Sequence, residues 1–515
     1  LIRLLHKHDF PFSITTSIMK KAVVIGSGYA GLSVSSFLAK AGWDVTILEK
    51  NESPGGRGRA FAADGFVFDM GPSWYWMPDV FERYFSCFGK KVSDYYNLIR
   101  LEPSYRIEFA DGPIDVPADY ASLRALFEQI EPGAGAQLDR FMEEAAYKYR
   151  VGIHKLVHKP GRSWTEFIDK ELIAGIWKLD VFTSIRSHVR KYFTNPKLIQ
   201  MMEFPVLFLG ALPGDIPALY SLMNYADVKL GTWYPEGGMV QIGKAMHKLA
   251  TELGVDVRFN SPVTRILTRD GEAYAVQYSQ DGETLEMSAD VVIGAGDYHH
   301  VEQNLLEPAD RVYSEKYWEK RVMAPSCLLY YIGLSKRLNK VAHHTLFFDV
   351  DFERHGQEIY ANPSWPTLPL FYVSAPSVTD AGVAPPGSEN LFFLIPVASG
   401  LDGDDETLRD RYFEMIAERY EKAIGQSIRD AIVFKRSYSV KDFKNDYHAF
   451  KGNAYGLANT LMQTSILKPS LKSKRVSNLY FTGQLTVPGP GVPPSLISGE
   501  VVSKEIIREH QNDML

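Results

Sequence analysis

The stretch Lys21–Lys50, KAVVIGSGYAGLSVSSFLAKAGWDVTILEK, limits the fold more than any other part of the chain. The apolar run Ala22–Ile25 reads as a buried strand. Gly26, Gly28 and Gly31 follow in G-x-G-x-x-G spacing, and a helical pattern runs on to Lys40. A second strand, Asp44–Leu48, ends on Glu49. This order is the βαβ unit that holds a dinucleotide. Gly26 allows the tight turn, Gly28 lets the backbone approach a pyrophosphate, and Gly31 lets helix and strand pack closely. The helix start offers N–H groups and a positive dipole end to the phosphates. Glu49 can accept hydrogen bonds from ribose hydroxyls. Ser27, Ala30 and Lys50 lie between these positions and join the candidate site.

The next segment narrows the cofactor. EKNESPGGRGRAF sets Gly55, Gly56, Arg57, Gly58 and Arg59 just beyond the ribose acid, and FDMGPSW, with Gly71, follows. The paired glycines suit a second close approach to the pyrophosphate, and Arg57 can neutralise it through a bidentate contact. The order resembles the flavoprotein superfamily that includes amine oxidases, protoporphyrinogen oxidases and carotenoid desaturases, which implies FAD. In that superfamily a segment like Gly231–Ile266 returns the chain to the nucleotide domain. The residue matching Val263 is then expected to touch the adenine end through its backbone. A second glycine turn, GAGDYH, has His299 where a nucleotide motif needs its third glycine, so no NAD(P)H site is expected there.

Length and composition bound the rest. A chain of 515 residues implies more than one domain, or one large two-part domain. A net charge of −6 is too mild to suggest nucleic acid or any charge-driven partner, and no nucleic-acid partner is expected. Two distant cysteines, Cys87 and Cys327, make no disulfide framework and favour a reducing compartment. No run of 18 apolar residues occurs, and the nearest, Phe204–Met223, is interrupted by Pro205, Pro213, Asp215 and Pro217. Residues 1–18 read as a non-native or disordered extension before Met19. Residues 150–197 mix Lys and Arg with Trp164, Phe167, Trp177, Phe182, Tyr192 and Phe193. They suit either an amphipathic helix packed on the core or a membrane interface. The pairs His299–His300 and His343–His344 are read as extended, pointing to opposite faces, and no metal site is expected.

In the second half VAHHTLFFDV, VSAPSVTDAGVAPPGSENLFFLIPV and YFTGQLTVPGPGVPPSLISGE occur in order. With GSGYAG and PGGRGRAF they resemble the bacterial and fungal type of phytoene desaturase, from Lys20 to Ile507. The resemblance implies an α/β fold with three parts. A Rossmann-like FAD domain is expected from 19–72, 231–300 and 476–515. A mixed α+β substrate domain is expected over 301–475, and a helical, membrane-contacting part over 73–230. The family's C-terminal signature, Gly-Ala-Gly-Thr-His-Pro-Gly-x-Gly, falls on Gly483–Gly491. Gln484, Leu485 and Val487 depart from it. Gly483, Gln484 and Pro493 join the candidate FAD site, and Ser495 is read as the start of the last helix.

The implied activity is repeated dehydrogenation of a C40 precursor, with hydride passing to the flavin. The cofactor carries the hard step, and no catalytic side chain stands out. Trp74, Tyr75 and Trp76 are candidates for an apolar tunnel. Burying a CH₂ from water is worth about 0.8 kcal/mol, but a long hydrocarbon already resides in lipid. The enzyme is therefore expected to be cytoplasmic, bound to a membrane surface, and reoxidised by quinone or oxygen. Other readings stay open: a hydroxycarotenoid or C30 desaturase, a ketolase, a carotene isomerase, an amine oxidase or a flavin-containing carotenoid carrier.

Overall fold

A computed structural model of the chain describes residues 19–163, 166 and 179–511. The expected extension over 1–18, and Trp164, Phe167 and Trp177 of the basic aromatic stretch, lie outside the described residues.

A five-stranded parallel sheet forms around β1 (Lys21–Ile25), with α1 (Tyr29–Lys40) crossing to β2 (Asp44–Leu48). Helix α2 (Val240–Glu252) leads to β3 (Asp256–Arg258) beside β2. On the other side of β1 come β4 (Val291–Gly294) and then β5 (Leu479–Phe481). The strands are apolar because helices cover the sheet. Helix α3 (Val492–Gln511) packs on α1, where Ser33 Oγ donates to the Leu496 carbonyl at 2.7 Å. A side chain at Gly499 would stand 2.6 Å from the Ala30 carbonyl oxygen, so the two helices meet through a glycine. Chain order reverses between β1 and β4, the switch point where open α/β sheets bind ligands.

A seven-stranded sheet forms the second layer. Its order is Ile432–Tyr438, Ser326–Leu334, Glu389–Val397, Phe371–Ser374, His344–Phe348, Tyr105–Phe109 and Gly112–Val116. The last two strands come from the region expected to be helical. Tyr105, Ile107 and Phe109 are buried, and Tyr105–Phe109 runs parallel to His344–Phe348. The same region also holds the helices Tyr120–Ile130 and Ala134–Val151, which pack on each other. A three-stranded meander over Val263–Ser288 and two two-stranded pairs, Ala60–Ala63 with Phe66–Asp69 and Leu98–Arg100 with Trp233–Pro235, make up the remaining sheets among the described residues.

Three local readings change. Helix α3 begins at Val492, three residues before Ser495, because Pro493 and Pro494 fit a first turn whose N–H groups have no intrahelical acceptor. His299 and His300 sit in the helix Tyr298–Leu305, capped by the Asp297 carboxylate, and not in an extended segment. Phe204–Met223 is broken as expected, into the short turns Phe204–Leu209 and Ala218–Ser221 before Leu222–Tyr225. Among the described residues no helix is long and apolar enough to cross a membrane.

Candidate functional site

The ends of β1, β4 and β5 converge on a cavity of about 570 Å³. At one end lie the glycine turns. Helix α1 starts after Gly28, which is extended and provides no side-chain cap, so the first N–H groups of α1 remain available to a ligand. A side chain at Gly28 would meet nothing within 4 Å and would project into this space. A side chain at Gly31 would stand 2.1 Å from the Gly26 carbonyl oxygen, so Gly31 seals the turn against the helix.

The second glycine turn docks on the first. Gly55 N–H donates to the Ser27 carbonyl at 2.9 Å, and Gly28 and Gly55 form a parallel bridge. Gly71 backs the pair, since a side chain there would lie 2.5 Å from the Arg57 carbonyl oxygen. Glu49 is buried, and its Oε2 accepts Ser27 N–H at 2.7 Å and Ser27 O–H at 2.8 Å. Its Oε1 accepts Asn51 N–H at 2.9 Å and the Asn51 amide at 2.8 Å. Those four bonds use the full capacity of a carboxylate. A ribose hydroxyl would therefore have to displace one donor.

Arg57 donates to Asn453 Oδ1 at 3.3 Å and to the Ala454 carbonyl, and lies over the Tyr447 ring at 5.7 Å. Burial pulls its guanidinium pKa down, and the nearby Asp297 carboxylate opposes that. The GAGD turn after β4 is part of the same site. Gly296 N lies 3.5 Å from where a Gly26 side chain would begin, and Ala295, Gly296 and Asp297 line the cavity. Asp297 accepts His300 N–H and Phe450 N–H, each at 3.3 Å, and burial raises its carboxyl pKa.

Of the residues singled out from sequence, Gly26, Gly28, Ala30, Glu49, Lys50, Gly56, Arg57, Gly71, Val263, Gly483, Gln484 and Pro493 all line this cavity. Ser27 and Gly31 lie behind the wall they shape. The C-terminal loop adds Pro488, Pro490 and Gly491, and the first turn of α3. Leu485 and Val487 are buried in hydrophobic core and do not line the cavity, so only Gln484 among the three departures faces the site.

Beyond the glycine turns the cavity widens into an apolar chamber. Trp74, Trp76, Phe204, Leu346, Phe348, Phe352, Leu370 and Leu394 line it. Tyr75 turns away, stacking on Phe81 at 4.3 Å and bonding to the Tyr96 hydroxyl at 3.0 Å. His355 accepts Leu370 N–H at 3.0 Å and shares a 2.9 Å bond with the Pro396 carbonyl. Burial lowers its pKa to about 4, so it is a neutral wall residue with both ring nitrogens engaged. The Cys327 thiol, 3.9 Å from the Tyr455 hydroxyl, is pushed up to about 12 by burial. Among the described residues the only carboxylates lining the cavity, Glu49 and Asp297, belong to its glycine-turn end.

Sequence reasoning missed Asp297, Cys327, His448 and Tyr455, which line the cavity. The strand–Gly-x-Gly-Asp pattern could have flagged Asp297 as a helix cap beside β1. The others come from distant loops and carry no local signal. Among the described residues one cluster has metal-ligand proximity, Glu144, Asp180 and His188, away from the cavity. The buried Lys148 ammonium stands 3.9 Å from Glu144, 3.7 Å from Asp180 and 3.4 Å from His188, and supplies the positive charge there.

Comparison with known proteins agrees with this architecture. Residues 29–507 match the family described as flavin-containing amine oxidoreductase. The chain is 41% identical over 488 residues to a carotenoid 3,4-desaturase of Haloarcula japonica, covering 94% of this chain and 98% of the relative. It is 31% identical over 494 residues to a zeta-carotene-forming phytoene desaturase of Myxococcus xanthus, covering 95% and 94%. It is 32% identical over 512 residues to a 4,4'-diapolycopene oxygenase of a Methylomonas species, covering 96% and 99%. Among solved structures, an oxidoreductase from Methanosarcina mazei aligns with a TM-score of 0.61 at 16% identity, over 94% of this chain and 100% of that one. Putrescine oxidase bound to putrescine aligns at 0.58 and 13% identity, over 95% and 99%. These two likenesses speak to the fold.

Proposed function

The chain belongs to the flavin-containing amine oxidoreductase family and is an FAD-dependent oxidoreductase of carotenoid CH–CH bonds, and on that premise we propose that it desaturates the 3,4 bond of a long carotenoid. One observation carries the reading: a single cavity joins the glycine turns to a chamber walled by aliphatic and aromatic side chains. Such a predominantly apolar chamber suits a hydrocarbon chain.

The residues fit the cofactor. The uncapped start of α1 and the open face of Gly28 would take the pyrophosphate. Arg57 would balance its charge, Glu49 and Lys50 would lie at the ribose, and Val263 at the adenine. Gly483, Gln484 and the first turn of α3, with Pro493, would border the flavin ring. When bound, FAD supplies the hydride acceptor. The chain then orients the carotenoid along Trp74, Trp76 and Phe204. No side chain in the chamber is assigned as the proton acceptor.

A second reading, phytoene as the substrate, rests on the relative that forms zeta-carotene from it. The membrane, and quinone or oxygen as acceptor, complete the proposal. The hydrocarbon gains little by leaving lipid, so direct uptake from a bilayer is favoured. Phe182, 82% exposed in the helical part, is available to a membrane surface. Expression in bacteria that accumulate phytoene, and in others that accumulate lycopene, tests substrate and bond together. Chromatography should reveal longer-wavelength products from the lycopene strain. Conversion of phytoene alone would favour the second reading, and unchanged pigments in both strains would defeat desaturation.

A further inference from the structure

Behind the aromatic wall of the chamber lies a carboxyl group that the cofactor site does not use. Asp227 is 4% exposed and sits in the π-helical turn Ala226–Leu230, a distortion often found at functional sites. Its Oδ2 accepts the Tyr105 hydroxyl at 2.8 Å, and its Oδ1 accepts the Thr232 hydroxyl at 3.3 Å. Thr232 Oγ1 in turn accepts the indole N–H of Trp76 at 2.9 Å. Every donor in this chain points toward Asp227. Trp74 contacts the Trp76 ring at 5.3 Å and the Tyr105 ring at 5.4 Å, and Phe204 packs on all three. Trp74, Trp76 and Phe204 line the chamber, whereas Asp227 does not.

Among the described residues no Lys, Arg or His forms an ion pair with Asp227. Lys229, on the same turn, lies over the Tyr120 ring instead. A buried carboxylate without a cation is costly, so its place here calls for a compensating use. The carotenoid is neutral before reaction and carries positive charge as a hydride leaves. Only the charged state gains from a buried anion behind the wall, so the effect falls on the transition state.

We propose that Asp227 is a positioning residue for the reaction: its negative charge, relayed through Thr232 to the Trp76 indole and through Tyr105 to the ring cluster, stabilises the allylic cation formed in the chamber. The inference rests on the desaturase reading. A C–H bond breaks, and bound FAD would supply the two-electron oxidant that takes its electron pair as hydride. The substrate carbon becomes the centre of an allylic cation. The neighbouring carbon then loses a proton to solvent, and that bond pair closes the new double bond. The Trp76 N–H donates to the Thr232 hydroxyl, which in turn donates to the carboxylate; the indole π-face attracts a cation, and the low dielectric of the interior lengthens the reach of the charge. Burial also lifts the Asp227 carboxyl to about 7, which makes its charge depend on pH near neutrality. The phenol facing it, Tyr105, is held neutral well above that range.

Asp227→Asn keeps the size and the acceptor for Tyr105 while deleting the charge. In the flavin-loaded enzyme its kcat should fall at least about tenfold, as loss of an electrostatic stabiliser does, with KM within about twofold. The rise of kcat with pH through neutrality should vanish. Thr232→Val, which cuts the relay and leaves the charge, should lower kcat about threefold, the scale of one hydrogen bond, and keep the pH limb. Wild-type kcat and pH profile in both variants, or a raised KM with kcat unchanged, would overturn the inference. A wild-type enzyme that desaturates no carotenoid defeats the functional reading itself. Activity in the wild type beside an unaffected Asp227→Asn defeats only the role of Asp227.

Discussion

The Glu49 carboxylate accepts both donors of Ser27, the backbone N–H at 2.7 Å and the hydroxyl at 2.8 Å. The acid that ends β2 therefore holds the glycine turn after β1 in shape. Glu49→Ala should cost at least about tenfold in FAD affinity, because bonds to a charged group are worth about 1.5–3 kcal/mol each. Flavin fluorescence titration measures this. Product chain length should stay the same. A shift in product with full FAD occupancy would place Glu49 at the substrate instead.

Gly28 and Gly31 should fail in different ways. A side chain at Gly28 meets open space, whereas one at Gly31 stands 2.1 Å from a backbone oxygen. Gly28→Val should leave the apoprotein folded and abolish FAD binding. Gly31→Ala should destabilise the fold by about 1–3 kcal/mol or more, the usual cost of overpacking. Thermal unfolding of the two apoproteins separates the cases, and stoichiometric flavin in Gly28→Val would refute the pyrophosphate assignment.

The raised carboxyl of Asp227 has a stability consequence of definite sign. Below about pH 4 the group is protonated in both folded and unfolded chains. As pH rises from there to about 7, the unfolded chain loses its proton first, so folding is progressively disfavoured. Above about 7 the penalty is complete. Asp227→Asn removes it, and should stabilise the protein at pH 8 by as much as roughly 4 kcal/mol, with little gain near pH 4. Equal melting temperatures for variant and wild type at both pH values would contradict the buried, unpaired state. A variant that is more stable and slower is the trade-off expected at a site shaped by function.

Leu346 lines the chamber away from the glycine turns. Leu346→Trp should fill that space, reduce carotenoid turnover by at least about tenfold through lost positioning, and leave flavin content unchanged. Full turnover with flavin bound would show that the substrate takes another path.

The first 50 residues disclosed the nucleotide unit because its determinants are local. Strand, glycine spacing, helix and terminal acid follow one another in the chain, and each acts on its neighbours. The C-terminal loop was readable for the same reason, although its helix starts at Val492 because prolines tolerate a first turn. The strands Tyr105–Phe109 and Gly112–Val116 were hidden inside a region of helical pattern: the first is held by a strand more than 200 residues away, and the second joins the sheet only as its hairpin partner.

By itself the sequence determined a dinucleotide-type βαβ start, two glycine turns fit for a pyrophosphate, and the kinship of the chain. Those are properties of short segments and of their order. Only the tertiary structure decided that Asp297 lines the cavity, that Tyr75 faces away from it, and that Leu485 and Val487 point into the core. It alone set Asp227 behind Trp76, through Thr232 and Tyr105. Local propensity records how a segment folds. Which side chains share a wall depends on contacts between segments distant in the chain, and no short pattern encodes these.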